Sequence, residues 1–305
     1  MTAILQALAS GLALGAIYGL IALGFNITFA TTKTFNFGQG AFLVPGSLVG
    51  VSLVLMAAGK PHFGNLSQAE MTMTAYILAT LVSVAFVGLI GIALYYSAIK
   101  PFVGATGLNW VLSTIGFGII LQNTALAIWG PASIAVPSPL GSDVYRIAGA
   151  GIRPQEILIA VVAFAVMAGL DYVLRRTRLG KALRAVAFNP QAAAIVGINV
   201  EKIVIIAFVI SSALAGLAGI LIAPITTASV FIGMGVALKA FSAAILGGLT
   251  NPRGCMAGGF LLGLIEALVG LWRAEMREIA IFLIIIIVLV VRPAGLFGTR
   301  TVEKV

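Results

Sequence analysis

Long apolar runs dominate this chain and constrain its fold more than any other feature. Solidly apolar segments such as residues 281–291 (IFLIIIIVLVV) recur along it. Of the 305 residues, 61% are hydrophobic and only 9% are charged, against about 25% charged residues in a soluble domain. A chain in lipid must satisfy its backbone internally, which favours helices, and the alternation of membrane β-strands is absent. The sequence therefore predicts an all-α, polytopic membrane helical bundle, with residues 1–305 as a single transmembrane domain.

A span needs about 20 apolar residues to cross the hydrocarbon core, and this rule predicts about eight to ten spans. Pro45 and Gly46 interrupt the second span, and Lys239 lies within the seventh. We expect one or both of these two spans to be broken or re-entrant, which is tolerated only where protein or a water-filled cavity surrounds the segment. The nine spans that we place are residues 4–30, 36–58, 74–96, 107–129, 155–174, 203–223, 232–250, 255–272 and 279–292.

Positive charge is concentrated in one loop, residues 175–202. The chain has a net charge of +9, and this loop carries six Arg and Lys residues against one acid, Glu201. Because short basic loops beside membrane spans stay in the cytoplasm, the loop predicts an outside N-terminus and a cytoplasmic C-terminus. The same charge predicts contact with anionic membrane lipids rather than with nucleic acid.

The second half of this loop has the pattern of a short helix. Asn189 suits an N-cap, Pro190 suits the first helical position, and Gly197 is placed to end the helix. Residues 175–183 are interpreted as the basic end of the preceding span, where the first arginine has Asp171 as an i,i+4 partner. A capped, alanine-rich cytoplasmic helix suits insertion into a groove on another protein. The alternative is an interfacial helix that lies on the membrane.

Few ionisable residues lie inside predicted spans, where charge is expensive and function is the default hypothesis. Glu266 is in the span at 255–272, and Lys239 is in the span before it. A short turn at 251–254 makes these spans antiparallel neighbours, so a salt bridge would offset much of each desolvation cost. We favour this structural pair. The alternative is that Glu266 faces a hydrated path and helps to line it.

Neutral polar residues form two further groups, one around residues 26–39 and one at 109–124. Such donors and acceptors suit an uncharged or zwitterionic permeant, and they equally suit hydrogen bonds between helices. The candidates for a translocation path are Asn36, Phe37, Gln39, Lys239 and Glu266.

The sequence predicts no enzyme site. It has no GxxxxGK[ST] phosphate loop, no HExxH motif and no paired carboxylates at a useful spacing. One histidine, His62, and one cysteine, Cys255, exclude a histidine-based metal cluster and an internal disulfide. No catalytic residue, metal or cofactor is therefore expected in this chain. If transport is active, its energy must come from an ion gradient or from another subunit.

Several segments resemble the membrane permeases of branched-chain amino acid ABC importers, specifically the LivH-like subunit. Gln191, Ala192 and Ala193, followed by Gly197, keep the spacing of the EAA motif of ABC importer permeases, with Gln in place of Glu. The downstream Ile-x-Leu-Pro part of the motif is not recognisable. The resembling segments are residues 18–42, 176–203, 213–221, 238–268 and 292–298.

The resemblance implies a permease subunit that works by alternating access in the bacterial inner membrane. Its implied partners are a second, LivM-like permease, two cytoplasmic ATPases that use ATP and Mg, and a periplasmic binding protein. Its implied cargo is a branched-chain or other small amino acid, although relatives import urea, short amides or aromatic acids. A gradient-driven carrier and a passive channel or scaffold are the alternative classes. The residues implied to contact the ATPases are Arg184, Asn189, Pro190, Gln191, Ala192, Ala193, Gly197 and Asn199.

Overall fold

The computed structural model describes residues 2–61, 64, 66–102, 109–147 and 149–298. His62 and two basic residues of the tail, Arg300 and Lys304, lie outside the described residues. The helices are α1 (Thr2–Thr32), α2 (Leu43–Ala57), α3 (Met73–Leu94), α4 (Asn109–Trp129), α5 (Pro154–Arg176), α6 (Arg178–Phe188), α7 (Pro190–Ile195), α8 (Val200–Thr226), α9 (Ile232–Gly247), α10 (Pro252–Trp272) and α11 (Met276–Val291). Two short strands, β1 (Tyr145–Ile147) and β2 (Ala150–Ile152), form an antiparallel hairpin in the loop between α4 and α5.

The predicted helical membrane bundle is confirmed. In the part of the chain that the structure describes, seven helical segments are long and apolar enough to cross a membrane: Thr2–Thr32, Phe37–Ala57, Met73–Phe102, Asn109–Trp129, Pro154–Arg176, Val200–Thr226 and Pro252–Trp272. The other two predicted spans, at 232–250 and 279–292, correspond to α9 and α11. Each has 16 residues, or about 24 Å at 1.5 Å per residue, which is shorter than a typical hydrocarbon core.

The second predicted span is broken, as expected, but not at Pro45. A 3₁₀ turn at Phe37–Phe42 precedes α2, which starts at Leu43. Pro45 therefore lies in the first turn of α2, where its missing N–H leaves no hydrogen bond unmade. The Phe37–Phe42 turn, which is separated from α2 by this break, lies beside α4, α8 and α9.

Helix α1 lies at the centre of the bundle and packs most closely against α10. Glycines on the two helices face each other along this contact. A Cβ atom added to Gly15 would lie 2.8 Å from Cα of Phe260 and 2.9 Å from the carbonyl oxygen of Gly259. Small residues at this spacing let helix backbones approach closely in lipid, where van der Waals contact rather than hydrophobicity drives packing.

The prediction that residues 175–183 continue the preceding span is wrong. Helix α5 ends at Arg176, and Thr177 becomes the N-cap of a separate helix, α6. The Thr177 hydroxyl accepts a hydrogen bond from the Gly180 backbone N–H at 3.2 Å. Gly180 also packs directly on the carbonyls of Val173 and Leu174, so the chain turns sharply and α6 folds back on the end of α5.

Contacts between loops group several of them at the two ends of the bundle. At the predicted inner end, Lys33, Arg184 and Arg253 line one cavity. At the predicted outer end, Gln68 donates a hydrogen bond to the Ser138 carbonyl at 2.7 Å, and residues 134 and 228 pair through their backbones. These contacts show which of these loops share an end of the bundle, while the side of the membrane on which each end lies stays a prediction.

Candidate functional site

The predicted short helix in the basic loop is present as α7. The Asn189 Oδ1 atom accepts a hydrogen bond from the Ala192 N–H at 3.0 Å, and Pro190 is the first helical residue. Gly197 has a φ of +86°, a conformation that residues with a Cβ atom rarely adopt. The helix thus ends where the sequence predicts, because both caps are local features.

Helix α7 and the residues that flank it expose an apolar surface at the predicted inner end of the bundle. Relative exposure is 93% for Phe188, 86% for Ile195 and 74% for Val196. Ala193 is buried and fixes the opposite side of α7 to the bundle. Among the other residues predicted to contact the ATPases, exposed positions are Arg184, Asn189, Pro190, Gln191, Ala192, Gly197 and Asn199.

The connections of α7 join it firmly to membrane-spanning helices. On its C-terminal side, the Ile198 N–H donates to the Ala193 carbonyl at 3.0 Å. The Asn199 side chain then caps α8 by accepting from the Lys202 N–H at 3.0 Å. On its N-terminal side, α6 packs on α5, α1 and α8. These contacts connect α7 to helices that run the length of the bundle.

A cavity of about 530 Å³ lies at the same end, between α1, α5, α6 and the start of α10. Asp171 accepts from Arg253 Nε at 3.0 Å and Nη2 at 2.8 Å, and from Arg175 Nε at 3.0 Å. The Asp171–Arg175 pair is the predicted one. Sequence reasoning missed Arg253, which lies 82 residues from Asp171 along the chain.

The predicted pair of charges inside the spans forms an ion pair. Lys239 Nζ on α9 lies 2.6 Å from Glu266 Oε1 on α10. The second carboxylate oxygen, Oε2, accepts a hydrogen bond from the Tyr18 hydroxyl on α1 at 2.7 Å. Sequence reasoning missed Tyr18, since nothing near it in the chain points to a charged partner. The three side chains tie α1, α9 and α10 together, and a role of Lys239 and Glu266 in a path stays a prediction.

The amides near the break before α2 are buried. Gln39 Nε2 donates to the Ser211 carbonyl at 2.9 Å, and Gln39 Oε1 accepts from the Ser211 hydroxyl at 2.9 Å and from Asn36 Nδ2 at 3.2 Å. Asn36 and Gln39 are almost completely enclosed, whereas Phe37 is partly exposed. In this conformation the two amides fasten the Phe37–Phe42 turn to α8. Only Phe37 of these three lies at an accessible surface, and a role for them in translocation stays a prediction.

Comparison with known proteins assigns the chain to a family. Residues 7–289 match the family described as the permease component of the branched-chain amino acid transport system. The permease protein BraD of a high-affinity branched-chain amino acid transport system from Pseudomonas aeruginosa is 34% identical over 308 residues, covering 99% of this chain and 98% of BraD. The corresponding LivH permease of Escherichia coli K12 is 33% identical over 315 residues, covering 99% and 97%.

More distant sequence similarity extends to a sugar import permease. The ribose import permease RbsC of E. coli K12 is 26% identical over 249 residues, covering 78% of this chain and 76% of RbsC. A solved structure of a metal-chelate type ABC transporter in an inward-facing conformation aligns with 93% of this chain and 85% of its own, at 12% identity and a TM-score of 0.49. The match to the family model and the full-length identity to BraD and LivH show that this chain belongs to the family of branched-chain amino acid transport permeases.

Proposed function

We propose that this chain is a permease subunit of an ATP-driven importer of branched-chain amino acids. The observation that carries the proposal is the exposed apolar tip formed by α7 and its flanking residues, which includes Phe188 at the end of α6, Ile195 in α7 and Val196 just after it. Apolar side chains concentrated on a rigid protrusion mark an interaction site rather than ordinary protein surface. The names of the full-length relatives, BraD and LivH, supply the class of cargo.

The occupant of this tip is one of two cytoplasmic ATPase subunits, which use ATP and Mg. Helix α7 inserts its apolar side chains into a groove on that ATPase. In this mode of recognition, a helix contributes a few apolar side chains that fill the groove. The rest of the importer is a second, LivM-like permease and a periplasmic binding protein that delivers the amino acid. This chain carries the transport path as one transmembrane domain and leaves hydrolysis to its partners.

The chain lies in the bacterial inner membrane with the α7 end in the cytoplasm, the N-terminus outside and the C-terminus inside. The basic residues around α6 and α7 support this direction, because positive loops stay in the cytoplasm. Movement of the ATPases displaces α7, and α6 and α8 carry the displacement into the bundle. Transport then proceeds by alternating access between two packings of the bundle.

The test is recovery of the ATPases with an affinity-tagged permease purified from membranes that contain the full set of subunits. In Ile195→Asp a charge replaces the apolar contact, and at least a tenfold loss of bound ATPase is expected. Leu140→Asp is the matched control, because Leu140 is also an exposed apolar residue but lies in the loop at the opposite end of the bundle. Equal recovery of ATPase with both variants would count against α7 as the docking helix.

A further inference from the structure

Helix α4 exposes polar side chains that contact with lipid does not explain. Only Thr114, Gly118 and Ala125 of its 21 residues are buried. Its uncovered surface includes Asn123 and Thr124, in the second half of a segment long enough to span the membrane. Each donates to a backbone carbonyl four residues earlier, at 2.8 Å, which leaves the Asn123 amide oxygen without a donor among the described residues.

Helix α11 provides a comparison within the same molecule. It also buries only two residues, Ile281 and Ile285. From Ile279 onward, however, it consists only of apolar side chains, as contact with lipid requires. A polar amide in hydrocarbon is expensive and faces protein or water instead. The exposed face of α4 therefore borders a partner or a hydrated space.

A cavity of about 300 Å³ lies between α4, the Phe37–Phe42 turn and α9, and it is lined on α4 by Ile115, Gly118, Ile119 and Gln122 rather than by Asn123 and Thr124. This volume is at the lower end of the range for small-molecule sites. No charged side chain occurs among the described residues that line it. Its walls are aromatic and aliphatic, and they include Phe37, Ile115, Ile119, Met234 and Phe241.

One polar side chain in the cavity wall is held in a fixed orientation. Gln122 Nε2 donates a hydrogen bond to the Val230 carbonyl, just before α9, at 3.0 Å. This bond orients the amide, and no described residue donates to Gln122 Oε1. An amide oxygen is purely an acceptor, so the cavity offers one acceptor in an otherwise apolar wall.

We infer that this cavity receives the transported amino acid as it crosses the membrane. The aliphatic side chain of the substrate packs against Phe37, Ile119 and Phe241, and its ammonium group donates to Gln122 Oε1. The aromatic faces add attraction for the cation. The carboxylate of the substrate stays in the hydrated space at the mouth of the cavity. A charged side chain among the apolar walls would lose water without gaining a partner, so the site selects for aliphatic cargo. This inference rests on the proposed function and adds the position at which the permease contacts its substrate.

Ile119→Trp tests the inference by narrowing the cavity. The measurement is ATP-driven uptake of leucine and of valine into proteoliposomes that contain the complete importer. Because leucine is the larger, its kcat/KM should fall at least threefold relative to that of valine. Ile120→Trp is the matched control: Ile120 is exposed on the same helix but does not line the cavity, and it should leave the ratio unchanged. An unchanged ratio in Ile119→Trp would overturn the inference.

Thiol labelling separates an amino acid site from contact with lipid or with another subunit. Ile119→Cys should react with a membrane-impermeant maleimide in the ATP-free or the vanadate-trapped importer, and excess leucine should slow that reaction at least threefold. Ile287→Cys on α11 should stay unlabelled. If Ile119→Cys is unlabelled in both states, or is labelled without protection by leucine, lipid, a partner subunit or water alone occupies the cavity and the inference is wrong.

The two experiments also separate this inference from the proposed function. Absence of ATP-driven uptake of either amino acid by the unaltered importer would overturn the proposed function. Normal uptake with no change of ratio in Ile119→Trp would overturn only the assignment of this cavity.

Discussion

Lys239 Nζ lies 2.6 Å from Glu266 Oε1 inside the helical bundle, with the two side chains only 17% and 7% exposed. Either charge alone would be costly at this position. The pair is stabilised further because Tyr18 donates to the remaining carboxylate oxygen. One carboxylate thus joins α1 to α9 and α10, two neighbouring helices that lie far from α1 in the sequence.

Removing only the acid should therefore destabilise the subunit more than removing both charges. Glu266→Gln leaves Lys239 charged and poorly paired, and breaking a buried pair in this way costs about 3 kcal/mol. The double variant Lys239→Met with Glu266→Gln removes the uncompensated charge and should recover part of that loss. Thermal unfolding of the purified subunit in detergent gives the order of stability of the unaltered protein, the single variant and the double variant. A double variant no more stable than Glu266→Gln would show that the pair is not structural.

Tyr18→Phe should destabilise the subunit by roughly 1.5–3 kcal/mol, the usual value for a hydrogen bond to a charged group. Tyr76→Phe is the matched control, because the Tyr76 hydroxyl donates to the neutral Ile220 carbonyl at 3.1 Å. The loss there should be about 1 kcal/mol. Both changes delete one buried hydroxyl and are compared by the same unfolding measurement. Equal losses would contradict a charged acceptor for Tyr18.

Close contact between α1 and α10 makes Gly15 sensitive to a single methyl group. Gly15→Ala should cost about 1–3 kcal/mol, as overpacking does in a filled interior, because both nearest contacts are backbone atoms. Gly169→Ala on α5 is the control, since an added Cβ atom there meets nothing within 4 Å. That change should be neutral or stabilise the helix by about 0.5–1 kcal/mol. A neutral Gly15→Ala would mean that the helices are further apart.

At the α7 end, Asp171 should contribute modestly and in a salt-dependent way. Asp171→Asn removes the negative charge and one of the two carboxylate oxygens that accept three hydrogen bonds from two arginines. Both arginines are largely exposed, so the expected cost is about 1 kcal/mol. Glu201→Gln should cost less, because Glu201 accepts one hydrogen bond, from Lys100. The loss of unfolding free energy in each of the two variants is measured at low and at high ionic strength. A cost for Asp171→Asn that high salt does not reduce would contradict a screened surface pair.

Features set by local chemistry were predictable from the sequence. The α7 helix needs only Asn189, Pro190 and Gly197, all within nine residues. The Lys239–Glu266 pair was also predictable, because these are the ionisable residues within two spans that a short turn makes neighbours. In both cases the chain itself limits the choice of partners.

Features that depend on tertiary packing were not predictable. Tyr18 and its partner Glu266 are 248 residues apart in the chain, and Gln39 and its partner Ser211 are 172 residues apart. The sequence around a neutral polar side chain in a span does not indicate which helix that side chain will contact. The break at Thr177 was missed because the surrounding basic residues fit the end of a span as well as the start of a new helix. Only the packing of Gly180 on α5 decides between them.

The proposal that other subunits supply the energy for transport is tested most directly by uptake of radiolabelled leucine into proteoliposomes. The complete importer, loaded with ATP and Mg on the ATPase side, should accumulate leucine against its gradient. The same permease pair and binding protein without the ATPases should accumulate none, whether or not a proton or sodium gradient is imposed. Concentrative uptake by this chain without ATPases would contradict the proposed function.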